Sequence, residues 1–285
     1  MKAGWKTVSV LLAAVAVSIF TTSKLYKAGA QYQIETISQF GQLPSAAVQA
    51  LSLDFKGIVA DYLFLKTMTF LGQKIGERED PSAEDWRLIN QMLERITDLD
   101  NLFWDPYLFA ETMLAWEAGM PEEANKLLLK AAKHRTEDYR PLYFIGFNHF
   151  YFQKDPYQAA QYLRKAAKLP KAPFYLTGLA ARMSLYGNQT AIGIAFLEDI
   201  LKNTLDPTIR QYLGKRLATL KIISSLEEDV KEYKSKYQTL PQSLDDLVKT
   251  GIISSIPDDP YGGRFVLLEN GRVYTTSRLV SQTDH

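Results

Sequence analysis

His134, His149 and His285 are the only imidazoles in the 285-residue chain, and it has no cysteine. No two of the three fall at i, i+4, so a helix-borne metal pair of the usual spacing is missing. His134 sits in the last turn of a predicted helix, where a cation suits the dipole. His149 lies in the aromatic run Tyr143–Phe152 and reads as a packed ring rather than a ligand. His285 is the terminal residue. The adjacent carboxylates Asp258 and Asp259 could share a proton, but Pro257 and Pro260 flank them, which favours a structural turn. Asp61 interrupts the apolar stretch Val59–Leu65. It reads as a carboxylate on the wet face or bonded to a neighbouring helix end, with a buried acid as the alternative. Gly262-Gly263 lacks the lysine and spacing of a phosphate loop, and no G-x-S-x-G elbow for a serine nucleophile occurs. Without cysteine, disulfides, thiolate zinc sites, iron–sulfur clusters and a thiol nucleophile are excluded. The expectation is therefore a chain with no catalytic residues, no metal and no cofactor.

Bulk properties narrow the class further. Lys and Arg number 33 against 32 Asp and Glu, so no excess of positive charge draws the chain toward nucleic acid. Hydrophobic residues make up 46% and charged residues 23%, the composition of a folded chain rather than a disordered one. Aromatic residues reach 12%, enough to fill gaps between helices with rings.

The N-terminus reads as a membrane-targeting segment. Lys2 and Lys6 precede an apolar run from Val8 to Phe20, Lys24 and Lys27 follow it, and no acid occurs before Glu35. The strict apolar core is shorter than a span of about 20 residues. Trp5 on one side and Thr21, Thr22, Leu25 and Tyr26 on the other extend it, giving a signal anchor over residues 5–26 with aromatic rings at both interfaces. Ala28-Gly29-Ala30 offers a cleavage site as the alternative, although Lys24 and Lys27 lie where a cleaved peptide carries neutral residues. Short N-terminal positive charge favours an inside N-terminus with the bulk of the chain exported.

After a polar bridge over 31–43, Leu43-Pro44-Ser45 opens a helix with Leu51, Phe55, Ile58, Tyr62 and Leu65 on one apolar face. Residues 76–82 form a loop, and Ser82 caps a helix bearing Trp86, Ile89, Leu93 and Ile96 that ends before Asp105-Pro106. From Asp105 to about Asp206 the chain repeats. Second helices are predicted over Pro121–Lys133, Pro156–Lys168 and Thr190–Lys202, the first two superposing at a shift of 35 and the last two at 34. Small residues recur near their starts, at Ala124, Ala159 and Gly193, where the two helices of a pair approach closely. Residues 105–203 resemble three degenerate tetratricopeptide repeats, and 46–99 resembles a further, atypical pair. The chain departs from that pattern at Ile200, which replaces a small residue, and at Phe147, which Gly146 offsets. The resemblance implies a mainly α chain: an N-terminal membrane helix, then a right-handed α-solenoid whose first helices line a concave face. By the repeat alignment that groove carries Phe109, Met113 and Trp116, then Phe144, Asn148 and Tyr151, then Tyr175, Arg182 and Tyr186, able to take a peptide or helix; packing of these rings against neighbouring elements is the alternative.

The last third reads differently. A helical pattern runs from Asp206 through Lys236, followed by Leu240-Pro241, a short helix over Ser243–Lys249, the Pro257–Gly263 turn and a hairpin through Glu269-Asn270-Gly271-Arg272. Residues 220–276 are similar to the globular tip of type II secretion major pseudopilins, giving a small α+β segment. The prepilin peptidase pattern is missing at the N-terminus, and no calcium ligands are carried over. The wider run Leu43-Pro44-Ser45, Ala60-Asp61-Tyr62 and Pro257–Pro260 resembles bacterial envelope proteins of the same layout. Four segments are thus expected: an anchor or signal peptide (1–30), a linker and atypical pair (31–104), the repeats (105–206) and a long helix with the α+β segment (207–285). These resemblances imply a non-enzymatic scaffold for other proteins, in the inner membrane with its bulk in the periplasm, or cleaved and soluble there. The alternative is a structural component of a secretion or pilus-like machine docking through the C-terminal segment.

Overall fold

No proline or other strong helix stop lies between the apolar run and Pro44, and the first helix accordingly continues through the stretch expected to be a polar bridge. The structure is a computed structural model and describes residues 2–280 apart from Glu77 and Glu79; His285 and the side chains of Lys2, Trp5, Lys6, Tyr26 and Lys27 lie outside the described residues. The first helix, α1, spans Lys2–Gln42 and breaks at the residue before Pro44. The expected linker over 31–43 is therefore helical through Gln42. Its end packs on α4 so closely that a Cβ on Gly41 would stand 2.7 Å from Leu88 Cδ1. Among the described residues no helix is long and apolar enough to cross a membrane.

The chain divides into two units, 1–135 and 136–285, so the division falls inside the 105–206 stretch, between its first and second helical pairs. In the first unit α1 is followed by α2 (Ser45–Ser52), a 3₁₀ turn, α3 (Lys56–Gly76) and α4 (Ala83–Leu99). Next come α5 (Trp104–Phe109), which runs on as a π-helix over Ala110–Glu117, and α6 (Pro121–His134). Ser82 starts α4 through a capping box: its hydroxyl accepts from Asp85 N–H and its own N–H donates to Asp85 Oδ2 at 2.9 Å. The helix expected to end before Asp105-Pro106 stops at Leu99, and Pro106 sits in the first turn of α5, where a missing N–H costs nothing. Leu63, Phe64, Phe70 and Leu71 of α3 are buried, as are Ile89, Met92, Leu93 and Ile96 of α4 and Tyr107, Leu114, Leu128 and Ala131 of α5–α6.

The second unit contains α7 (Arg140–Tyr151), α8 (Pro156–Ala167), α9 (Tyr175–Tyr186), α10 (Thr190–Asn203) and α11 (Pro207–Tyr237). Each packs on the next in chain order, and α11 also reaches α9. Close approach explains the small residues. A Cβ on Gly193 of α10 would meet Ser184 Cβ of α9 at 2.9 Å, and one on Gly146 of α7 would meet Leu163 Cγ of α8 at 2.8 Å. Ala159 and Ala160 of α8 are fully buried. The chain then forms α12 (Leu244–Lys249) and the antiparallel strands β1 (Phe265–Leu267) and β2 (Val273–Thr275), with Val266 opposite Tyr274. Gly271 takes φ +82° in the hairpin, a conformation that suits glycine. One core joins α9, α10 and α11 to this segment, through Leu185, Leu197, Ile223, Leu226, Val230, Leu247, Phe265 and Val273. The fold is thus mainly helical with a small two-stranded antiparallel sheet near the C-terminus.

Candidate functional site

The residues singled out for chemistry are dispersed. His134 is exposed at the end of α6, and His149 stacks on Tyr162 at 5.3 Å between centroids. Asp61 is exposed. Asp259 is buried and tied into the turn: it accepts from Tyr261 N–H at 2.9 Å and from the Thr275 hydroxyl. Among the described residues no three His, Cys, Asp or Glu side chains converge as a metal site would require.

The nine groove positions divide between the two units. In the first, Phe109 is half-buried with its ring edge-on to Phe64 of α3 at 5.6 Å, Met113 is half-buried and Trp116 is exposed. In the second, Phe144 is half-buried beside Tyr143, Asn148 is buried and Tyr151 is exposed, stacked on Phe147 at 5.5 Å. Tyr186 stacks on Tyr274 of β2 at 5.8 Å, so the C-terminal hairpin takes this ring. Tyr175 and Arg182 of α9 come together on one cavity.

That cavity, about 300 Å³, is bounded by Tyr175, Leu179 and Arg182 of α9, Tyr212 and Arg216 of α11, and Tyr261, Leu279 and Val280 of the C-terminal segment. Arg216 is buried. Its Nη1 donates to Gly178 O at 3.0 Å and its Nη2 to Leu279 O at 2.7 Å, clamping the terminal segment onto the helices. The guanidinium also lies 5.4 Å from the Tyr212 ring and 5.6 Å from the Tyr261 ring, within range of cation–π attraction. Burial pushes the Tyr261 phenol above its ordinary value, and the adjacent Arg216 guanidinium, through its charge and a side-chain hydrogen bond, opposes that shift. Arg278 and Leu279 both take left-handed φ, 52° and 61°, where the segment turns into this wall. The sequence reading missed Arg216, Tyr212 and Tyr261. Arg216 carried one available signal, a lone cation inside the apolar periodicity of α11.

A second, more open cleft of about 610 Å³ separates the second helices α8 and α10, the opposite choice of helices from the expected groove. Arg164, Lys165 and Lys168 line it with Tyr157, Phe196 and Asp199, and Lys168 pairs with Asp199 at 3.0 Å.

The first unit offers a surface rather than a cavity. Leu51, Phe55, Ile58, Tyr62 and Leu65, the expected apolar face, are 43–71% exposed, while Ala60, Leu63, Phe64 and Thr67 turn inward. Helix α1 is likewise exposed on all sides from Val10 to Leu25. No family model matches the chain, no curated protein matches it, and no solved structure matches its fold.

Proposed function

We propose that the chain is a non-enzymatic scaffold or assembly factor of the bacterial cell envelope, held at the inner membrane by residues 5–26, with its bulk in the periplasm. Its helical pairs are read as tetratricopeptide-like, stacked as a right-handed solenoid. The observation that carries this reading is the run of five exposed large apolar side chains through α2, the 3₁₀ turn and α3, on helices whose other face is already satisfied by the core. Exposed contiguous apolar faces mark interaction surfaces. Burying five such side chains is worth on the order of 10 kcal/mol gross, comparable with the cost of immobilising two partners, which suits reversible recruitment. The apolar surface of α1, exposed on every side, supports insertion of residues 5–26 into lipid. The test is site-specific photocrosslinking in intact membranes, with the probe at Ile58 or Leu65 and a control probe at Lys126. Discrete protein adducts at the first two positions alone are expected; lipid adducts only, or none, refute recruitment through this face.

The order of elements in the last third favours a second reading, docking onto pseudopilin-type subunits of a secretion or pilus-like machine. A long helix, a short helix, a proline-bearing turn and a two-stranded hairpin follow one another over 207–275. Val266 and Leu268 are partly exposed on the hairpin, so V266K with L268K abolishes partner binding under this reading and leaves it intact under the first.

A further inference from the structure

We infer that the cavity between α9, α11 and the C-terminal segment is a binding site for a small carboxylate carried on an apolar or aromatic group. The inference does not depend on the scaffold reading, since every residue it uses lies in the second unit.

Charge is the first argument. Arg182 and Arg216 both line the cavity, and among the described residues neither has a carboxylate within 4 Å. The buried acid of this region, Asp259, is committed to Tyr261 N–H and the Thr275 hydroxyl. Two guanidinium groups lining one cavity with no counter-ion raise the local potential, and a low-dielectric surround strengthens it. Unmet hydrogen-bonding capacity is the second argument. Arg182 Nε and Arg216 Nε are both buried without a partner. A buried donor left unpaired forfeits the hydrogen bonds it made to water, and two such donors at one small cavity call for an explanation. The two Nη atoms of Arg216 already hold Gly178 O and Leu279 O, so its guanidinium cannot rotate freely. Arg182 has no such commitment and is the movable donor. Shape is the third. The rings of Tyr175, Tyr212 and Tyr261 supply flat apolar walls, and about 300 Å³ lies at the small end of ligand pockets. A planar acceptor matched to a guanidinium fork, next to a group that stacks on phenol rings, satisfies all three features.

The experiment titrates the full chain in detergent, by calorimetry, with N-acetyl-phenylalanine, with N-acetyl-phenylalaninamide and with inorganic phosphate. The carboxylate is expected to bind at least about 10-fold more tightly than the amide, the loss that follows from a missing charge-assisted bond. Arg182→Gln is expected to weaken carboxylate binding by a similar factor with its melting temperature unchanged, and Arg182→Lys to recover part of it. Equal affinity for acid and amide, no carboxylate binding, or an Arg182→Gln protein that binds like the parent each overturns the assignment. Tighter binding of phosphate overturns the carboxylate class.

Discussion

Glu227 of α11 ties the C-terminal hairpin to the helices, and its removal has a magnitude that can be worked out. Glu227 Oε1 accepts from Arg272 Nε at 2.7 Å and from Val273 N–H at 3.2 Å. Arg272 in turn donates through Nη2 to Leu185 O of α9 at 2.8 Å, with its guanidinium 5.5 Å from the Tyr274 ring. Both charged side chains are about 15% exposed. Glu227→Ala leaves a buried backbone N–H and a mostly buried cation without their acceptor. Breaking a buried pair costs about 3–5 kcal/mol; discounting for the residual solvent contact leaves about 2–3 kcal/mol. For a unit of this size each kcal/mol moves the melting temperature by about 2–4 °C, so circular dichroism should show a loss of about 4–12 °C. Glu227→Gln keeps an oxygen for Val273 N–H and should lose roughly half as much. A cycle with Arg272→Ala should return a coupling energy of at least about 1 kcal/mol, and the Val273 amide should exchange its hydrogen faster in Glu227→Ala. A melting shift below about 2 °C, or additive single-variant effects, would show that the apolar core alone docks the hairpin.

Two paired glycine substitutions test the close-approach argument. Gly193→Ala places a Cβ 2.9 Å from Ser184 Cβ and should destabilise by about 1–2 kcal/mol in urea unfolding, the overpacking cost outweighing the helix-propensity gain. Gly214→Ala meets nothing within 4 Å and should stabilise by up to about 1 kcal/mol; shifts of the same sign would refute the argument. Tyr107 supplies a pH prediction: burial pushes its phenol up to about 12. Its folded-state value is raised above the unfolded value of about 10, so the stability it contributes is complete below pH 10 and is lost as pH rises from 10 toward 12. In an alkaline titration followed at 295 nm, the difference between the parent and Tyr107→Phe should therefore appear near pH 12; a difference centred near pH 10 would sink this account.

How much of this was legible follows from what each signal measures. The second helices α6, α8 and α10 begin at Pro121, Pro156 and Thr190, as the recurring proline and small residues indicate, because those residues answer to local constraints: a free first-turn N–H and a neighbouring helix backbone. The hairpin was legible for the same reason, its Asn270-Gly271 step matching a turn that needs positive φ. The stretch over 31–43 was misread because polarity alone does not end a helix; a stop residue does, and the first one is Pro44.

The candidate site was far less legible, and for a reason that bears on function. Periodicity shows that a helix has an apolar face but not which face meets the core. On α3 both faces are apolar, since Leu63, Phe64 and Phe70 alternate around the helix with Ile58, Tyr62 and Leu65. A helix that needed only a core would have no use for the second stripe, and solvent exposure would select polar residues there. An apolar stripe left over after the core is complete is thus better evidence of an external surface than the aromatic groove positions, of which Phe109 and Tyr186 have ring partners inside their own units. The arginine cavity depends on Arg216, Tyr261 and Leu279, which only the tertiary fold brings together. Its one local trace is a cation in the apolar register of α11, and an interior position admits arginine only where acceptors, here Gly178 O and Leu279 O, await its N–H groups.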